Sequence, residues 1–340
     1  MRITVLLGGT SSERDVSLAS GLRVAHALRS CGHTVTAVDT ASGVLTVADE
    51  AAMLSGGVMK TLPPERDALA KLSVAALPAV VSRLPLPSDT DVVFLGLHGG
   101  QGEDGTIQAL LDLTGVPYTG SGHLASALAM DKDLSKHLFR QHGVPTADWL
   151  MAPATDDAIL AALGLPVIVK PSKQGSTVGL TLVKDRAALQ PAIAEARLYD
   201  DEVMIERFIP GRELTVGILG NEALPVGEII PAHEIYDYEC KYTAGMAREE
   251  FPAALTPEES TTVQELAVRA FRALKLSGCA RIDFRMMADG TFYCLEANTL
   301  PGMTELSLIP QAAAAAGLSF PALCDRIVQL ALRRHTGEVP

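Results

Sequence analysis

The chain has 340 residues, enough for two or three domains of about 100 to 200 residues each. Its 28 Lys and Arg against 40 Asp and Glu leave a formal charge of −12, which offers no general attraction for nucleic acid or an anionic membrane. Apolar residues make up 48% of the chain, yet no run approaches the roughly 18 to 20 residues of a membrane span. Met1 to Leu7 is too short an apolar stretch for a signal peptide, and Glu13, Arg14 and Asp15 follow it, so a cytoplasmic protein is expected. Five scattered cysteines with no C-x-x-C spacing predict reduced, mostly buried thiols rather than a disulfide framework or a zinc site.

In chain order, Ile3 to Leu7 reads as a buried strand, Gly8 to Ser12 breaks it, and Val16 to Leu28 has helical spacing. Strand-like Thr34 to Val38 follows. From Ala41 to Ser88 the pattern weakens: Gly56-Gly57 and the prolines at 63, 64, 78, 85 and 87 predict helices and loops without sharp boundaries. Val92 to Leu97 is a second buried strand, ending in His98 and the glycine-rich run Gly99 to Gly105, with a helix over Thr106 to Thr114. Strands alternating with helices imply a doubly wound parallel sheet, whose ligands gather at the carboxyl ends of the strands.

Past Gly122 the pattern changes. A helix is expected over Leu124 to Gln141, then strands Pro166 to Lys170 and Val178 to Val183 joined by Pro171 to Thr177, a hairpin with a long tip. Strands Glu202 to Phe208 and Glu213 to Leu219 follow, then a polar, aromatic loop (His233 to Gly245) and a helix over Pro257 to Leu274. Two strands, a helical Ala312 to Ala316 and a closing helix over Phe320 to Arg333 complete an α+β region that begins near Ser121.

Gly100-Gln-Gly-Glu-Asp-Gly105 has the G-x-G-x-x-G spacing of a dinucleotide loop, but Glu103 and Asp104 would set negative charge against a pyrophosphate. Both carboxylates are better read as caps of the next helix. No G-x-x-x-x-G-K-[ST] occurs, which excludes a P-loop, and His233-Glu234 lacks the second His of a zincin. The tip Pro171 to Thr177 has what a phosphate cover needs: Gly175 for close approach, hydroxyls on Ser176 and Thr177, and Lys170 just before it.

The strongest constellation comes from strand geometry. Asp289-Gly290 between two strand-like runs signals a two-residue hairpin, so paired residue numbers sum to 579. Asp283 then faces Glu296, and Arg281 faces Asn298. Alternation puts these four on one side and Ile282, Phe284, Met286, Tyr293, Leu295 and Ala297 on the other. Two facing carboxylates with an amide oxygen suit Mg²⁺, although an Arg281–Asp283 surface ion pair is the plainer alternative. By composition alone Lys132 and Lys136 are solvated helix residues, and Glu206 and Glu213 surface carboxylates. Three of the chain's six tyrosines fall within seven residues around Lys241 and Tyr242, which suggests a lid.

Taken together the motifs resemble those of the D-alanine–D-alanine ligases of the ATP-grasp superfamily. The likeness runs from Leu6-Leu-Gly-Gly-Thr-Ser-Ser-Glu-Arg-Asp-Val-Ser17 through Leu97-His-Gly, Gly102-Glu-Asp-Gly105, Pro117-Tyr-Thr-Gly-Ser-Gly122 and Met130-Asp-Lys132. It continues with Val169-Lys-Pro-Ser172, Gly175-Ser-Thr-Val-Gly179, Tyr236-Asp-Tyr, Lys241-Tyr242, Arg281-Ile-Asp283 and Leu295-Glu-Ala-Asn-Thr-Leu-Pro-Gly-Met-Thr304. The resemblance implies an N-terminal Rossmann-like parallel-sheet domain (1–120), followed by a two-domain ATP-grasp fold with central (121–206) and C-terminal (207–340) parts. It implies ATP and two Mg²⁺ or Mn²⁺ as cofactors, D-alanine as substrate and a homodimer.

Carried over residue by residue, Lys132, Lys170, Ser176 and Thr177 would hold ATP phosphates, the strand at Glu206 the adenine, and Glu213 the ribose hydroxyls, with Lys241 also binding ATP. Asp283, Glu296 and Asn298 would ligate the metals. Glu13, with His98 near it, would hold the first D-alanine's ammonium; Arg281 and the Gly302 amide would stabilise the oxyanion; Ser307 and Leu308 would receive the second carboxylate. Glu13, Ser176 and Tyr242 would tie the lid loops together, and the Lys241-Tyr242 pair favours D-alanine over D-lactate as second substrate. Two departures stand out: Arg285, where relatives more often carry an apolar residue, and Leu306 in place of a polar one. Another ATP-grasp ligase or a nucleotide-binding regulator on the same scaffold are the alternatives.

Overall fold

The computed structural model describes residues 1–55, 86–175, 177–234, 245–304 and 307–337. The expectations for Ser176, Lys241, Tyr242, Leu306, Cys240 and most of 41–88 lie outside the described residues.

The first sheet contains β1 (Arg2–Leu7), β2 (Thr34–Asp39), β3 (Gly43–Val44) and β4 (Val92–Leu95) in the order β3-β2-β1-β4, with β2, β1 and β4 parallel. Five of the six β1 residues are buried, the pattern of a strand covered on both faces. Helix α1 (Arg14–Ser30) crosses from β1 to β2; α2 (Val47–Ser55) and α3 (Thr106–Thr114) follow. The strand expected to reach Leu97 ends at Leu95.

The helix expected over Leu124 to Gln141 is two, α4 (His123–Met130) and α5 (Lys132–Gln141). Asp131 leaves the helical region at φ −81°, ψ 102°, and its carboxylate accepts from the Leu134 N–H at 3.0 Å, capping a new helix. Lys132 thereby becomes a first-turn residue at the mouth of a cleft.

The second sheet is antiparallel throughout, ordered β5-β8-β6-β7 from β5 (Trp149–Met151), β6 (Val167–Pro171), β7 (Thr181–Val183) and β8 (Val203–Arg207). Helices α6 (Asp156–Ala162) and α7 (Leu189–Ala196) supply its core, and β6–β7 is the long-tipped hairpin read from the sequence. The third sheet runs β12-β11-β9-β13-β14, with β10 paired to β9. Its strands are β9 (Arg212–Leu219), β10 (Glu222–Ala223), β11 (Gly227–Pro231), β12 (Ala247–Glu250), β13 (Cys279–Met286) and β14 (Phe292–Asn298).

Helix α8 (Pro257–Ala273), started by a Thr256/Glu259 capping box, covers one face of the third sheet with Val263, Ala267 and Phe271. Helices α9 (Leu308–Ala315) and α10 (Phe320–Thr336) return to the N-terminal unit: Ile327 and Val328 share one apolar cluster with Ile3, Val5 and Leu22. No single helix among the described residues is long and apolar enough to cross a membrane. Cys279, Cys294 and Cys324 are buried free thiols and Cys31 an exposed one.

Candidate active site

The site is built on the face of the third sheet that α8 leaves open. Along β13 and β9, cross-strand neighbours pair Arg281 with Gly217, Asp283 with Thr215, and Arg285 with Glu213. On the other side of β13, Asn298 stands opposite Arg281, and Glu296 opposite Asp283. The four-residue cluster expected from the sequence is present, but the hairpin reaches it by a different route.

The turn is longer by one residue than expected. Met287 N–H donates to Thr291 O at 2.9 Å and Gly290 adopts φ +85°, so three residues form the tip and the pairs nearest it sum to 578. An irregularity after Asp283 then restores 579 at the site, because β14 carries one extra residue there. The same irregularity corrects the face assignment. Phe292, Cys294 and Ala297 are buried with Ile282, Phe284 and Met286 in the core, whereas Tyr293 and Leu295, expected there, are only half-buried. Leu295 lines the cleft.

Asp283 is surrounded by donors. Arg281 Nε and Nη2 each lie 2.9 Å from its carboxylate oxygens, Thr215 Oγ1 donates at 2.7 Å, and Asn298 Nδ2 at 2.9 Å. Glu296 Oε2 lies 3.2 Å from Lys132 Nζ, which also donates to Gln174 O at 2.8 Å in the β6–β7 tip. The repulsion of two facing carboxylates is thus offset by two cations and two neutral donors. Arg281 and Asp283 do pair, but both are largely buried in the cleft wall rather than on a plain surface.

Lys132, Gln174, Arg281, Asp283 and Glu296 line one end of a cleft between the second and third sheets, with about 980 Å³ of empty space including its open mouth. The other end is apolar, formed by Ile168, Leu180, Phe208, Ile209 and Ile229. Lys170 Nζ reaches into it but is held at 2.7 Å by Glu206 Oε2, while the other oxygen of Glu206 takes the ammonium of Lys136. Lys136, expected in solvent, is fully buried and also donates to Thr146 Oγ1 at 2.6 Å. Its position one helical turn after Lys132 on α5 carries it inward. Burial works to raise the Glu206 carboxyl, but the two ammonium groups outweigh it and hold it down at about 2. Glu206 is therefore no surface carboxylate. Arg285, also buried, donates to Glu213 Oε2 and to Ile209 O, each at 3.0 Å.

The carboxylate of Glu13, at the start of α1, sits where two loops nearly meet. A side-chain carbon on Gly99 would fall 2.7 Å from Glu13 Oε2, and one on Gly175 would fall 2.8 Å from it. The N-terminal loop and the β6–β7 tip thus both come close to the Glu13 carboxylate. Thr177, in the same tip, holds φ +59°, an unusual value for a β-branched residue.

His98 is buried: one ring nitrogen lies 2.8 Å from Leu300 O, the other 3.2 Å from Ser20 Oγ. Burial lowers its pKa, with Glu13 pulling the other way. Of the two carboxylates expected to cap α3, only Asp104 does so, accepting from Thr106 N–H at 2.9 Å. Glu103 turns inward, because Gly99 N–H at 2.9 Å and Leu300 N–H at 3.2 Å offer it buried donors. Burial, then the charge on Glu13, push its carboxyl up to about 7. Glu103 and His98 together fasten the Leu300 segment to the N-terminal unit, a role the sequence did not signal for Glu103.

Gly302, beyond that segment, lies near the α9 start: a side-chain carbon on it would fall 2.9 Å from Ser307 Oγ. Ser307 precedes α9 and its hydroxyl meets Thr304 Oγ1 at 2.8 Å, while Leu308 is buried behind it. Asp283, Glu296 and the Asn298 amide oxygen are hard oxygen donors of the kind Mg²⁺ takes. Among the described residues no three His, Cys, Asp or Glu side chains converge into a metal cage, so a cation here would draw further ligands from phosphate oxygens and water.

The chain matches known proteins over nearly its whole length. Two family models match, described as the D-ala D-ala ligase N-terminus, over residues 2–121, and C-terminus, over residues 138–329. The D-alanine--D-alanine ligase of Anaeromyxobacter dehalogenans strain 2CP-C is 43% identical over 331 residues, 96% of either chain. The solved D-alanine-D-alanine ligase of Coxiella burnetii superposes with a TM-score of 0.81 at 29% identity, covering 99% of this chain and 95% of that one. The Bacillus anthracis ligase, solved in complex with ATP, gives 0.76 at 32% identity over 99% of both. With family models covering most of its length and a near-full-length relative above two-fifths identity, the chain belongs to the D-alanine–D-alanine ligase family.

Proposed function

We propose that the protein uses ATP to join two molecules of D-alanine into D-alanyl-D-alanine, through a D-alanyl phosphate, for peptidoglycan precursor synthesis in the cytoplasm. The observation that carries this reading is the convergence of Arg281, Asp283, Glu296 and Lys132 in one cleft, with Asn298 donating to Asp283 beside them. Residues 1–120, 121–206 and 207–340 serve as the three domains, and the active form is a homodimer.

A carboxylate is a poor acceptor for an amine, so its oxygen must first become part of a leaving group. A carboxylate oxygen of the first D-alanine attacks the γ-phosphorus, ADP departs, and the acyl phosphate forms. The second D-alanine, its ammonium proton lost, adds through nitrogen to the acyl carbon. The C–O bond to phosphate then breaks, phosphate leaves with the electron pair, and the amide remains.

Lys132, Lys170 and the Ser176-Thr177 tip hold the phosphates, the strand at Glu206 the adenine, and Glu213 the ribose, with Lys241 also binding ATP. Asp283, Glu296 and Asn298 would hold two Mg²⁺ or Mn²⁺ ions, which would supply positive charge against the phosphates. Glu13, close to His98, binds the first ammonium. Arg281 and the Gly302 amide meet the oxyanion on the tetrahedral carbon, and Ser307 with Leu308 at the α9 start receives the second carboxylate. Ser176, Tyr242 and Glu13 act together to keep water from the acyl phosphate. The Lys241-Tyr242 pair supports D-alanine rather than D-lactate as second substrate.

Carboxyl-¹⁸O-labelled D-alanine tests the chemistry. One ¹⁸O should appear in phosphate for each dipeptide made. Dipeptide formed with unlabelled phosphate would rule out the acyl phosphate.

A further inference from the structure

The three cross-strand pairs along β9 and β13 divide between the two ends of the cleft. Arg281 and Asp283, paired with Gly217 and Thr215, stand at the polar end; Arg285 and Glu213 stand beside Phe208, Ile209 and Ile229. An arginine placed there needs a reason, because a buried guanidinium is costly unless each of its directions is satisfied. The residue is 7% exposed.

Its contacts form a fixed frame. Nε donates to Ile209 O at 3.0 Å, Nη1 donates to Glu213 Oε2 at 3.0 Å, and the guanidinium carbon lies 5.4 Å from the centre of the Phe208 ring. The guanidinium is planar and rigid, so donors committed to a backbone oxygen and a carboxylate oxygen fix that carboxylate relative to the β8–β9 link. Gly211 holds the same link against β13: a side-chain carbon there would fall 2.1 Å from Met286 O. The guanidinium is thus anchored to a link packed directly on β13, and Glu213 is held by it at the cleft wall.

We propose that Arg285 is a positioning residue for the nucleotide sugar. It keeps the Glu213 carboxylate paired and turned to the cleft as an acceptor for ribose hydroxyls, and so sets the preference for a ribonucleotide over a sugar without those hydroxyls. The proposal rests on the reading of Glu213 as the ribose acceptor. A hydroxyl donating to a preset carboxylate gives strong discrimination, because the hydroxyl-free sugar leaves that carboxylate short of a donor. Without Arg285, Glu213 loses the donor that sets its orientation against the β8–β9 link, and the discrimination fades. An arginine that only braced the fold would affect both nucleotides equally.

The test is calorimetric binding of ADP and 2′,3′-dideoxy-ADP to the intact protein with Mg²⁺, for wild type, Arg285→Met, Arg285→Lys and Glu213→Gln. Wild type should favour ADP on the order of 10-fold or more. Arg285→Met should bring the ratio to within about 2-fold of unity by weakening ADP alone, as expected when one preset hydrogen bond is lost. Arg285→Lys should fall between, since an ammonium reaches one partner but not both in a plane, and it carries the test if the Met variant fails to fold. Equal weakening of both nucleotides, or an unchanged ratio in the Arg285 variants, would overturn the proposal. If Glu213→Gln also leaves the ratio intact, the ribose reading beneath it falls too; if Glu213→Gln alone collapses the ratio, only the role of Arg285 is lost.

Discussion

Lys136→Met should destabilise the protein by about 3 kcal/mol, an effect that can be worked from the Lys136–Glu206–Lys170 triad in two ways. A carboxyl held at about 2 rather than its ordinary 4.5 has about 3 kcal/mol of ionic stabilisation at neutral pH, and Lys136 provides the largest share of it. Removing one partner of a buried pair costs roughly 3 to 5 kcal/mol when the other charge is left uncompensated, and because Lys170 still pairs Glu206 here the loss sits at the low end of that range. Lys136 itself is under strain from burial, which pulls its pKa down against the pull of Glu206, so the intact pair is worth less than its removal costs. Adding Glu206→Gln to Lys136→Met should therefore recover at least half of the loss. Trp149 is the chain's one tryptophan and its ring lies 5.0 Å from Lys136 Nζ, so denaturant unfolding followed by its fluorescence reports on this unit directly. A loss below about 1 kcal/mol in Lys136→Met, or a further loss on adding Glu206→Gln, would refute the reasoning.

Other expectations come from single positions. The folded value of Glu206 lies below the unfolded one, so its contribution is present above about pH 4.5 and lost as pH falls toward 2; wild type should show an acid limb in melting temperature that Glu206→Gln lacks. Glu103 has the opposite sign: held at about 7 against 4.5, its contribution is full below pH 4.5 and lost as pH rises through 7, so Glu103→Gln should flatten the decline in stability between those values. Gly211→Ala should cost several kcal/mol in a melt, because φ is +124° and the new carbon would meet a backbone oxygen at 2.1 Å. In Gly175→Ala the new carbon meets only the mobile end of Glu13, so the melting temperature should hold within about 2 °C while KM for D-alanine rises several-fold.

The parts of the fold that were legible in the sequence are those with an unambiguous period or breaker. The strand–glycine–helix start, the Pro257 helix and the closing helix fall within a few residues of their expected places. The β13–β14 hairpin shows how a right cluster can come from a wrong turn: the tip has three residues rather than two, and the irregularity beside Asp283 cancels that error at the site. Neither is written in the period of the strands, so Tyr293 and Leu295 were assigned to the wrong face. The burial of Lys136 and Glu103 is not legible in the sequence, because a charged residue on a helix or in a turn is usually solvated and only tertiary packing supplies the partners that make burial tolerable. The Asp131 cap was readable as Asp before a helical run, but the apolar period continues across it.

The central claim is tested most directly by phosphate release from purified protein with Mg-ATP and D-alanine, with D-lactate and L-alanine in parallel and the dipeptide quantified. The account predicts one phosphate per D-alanyl-D-alanine with D-alanine alone, and none of that turnover in Glu296→Ala. Nucleotide binding with no D-alanine-dependent phosphate, or full turnover in Glu296→Ala, would contradict it.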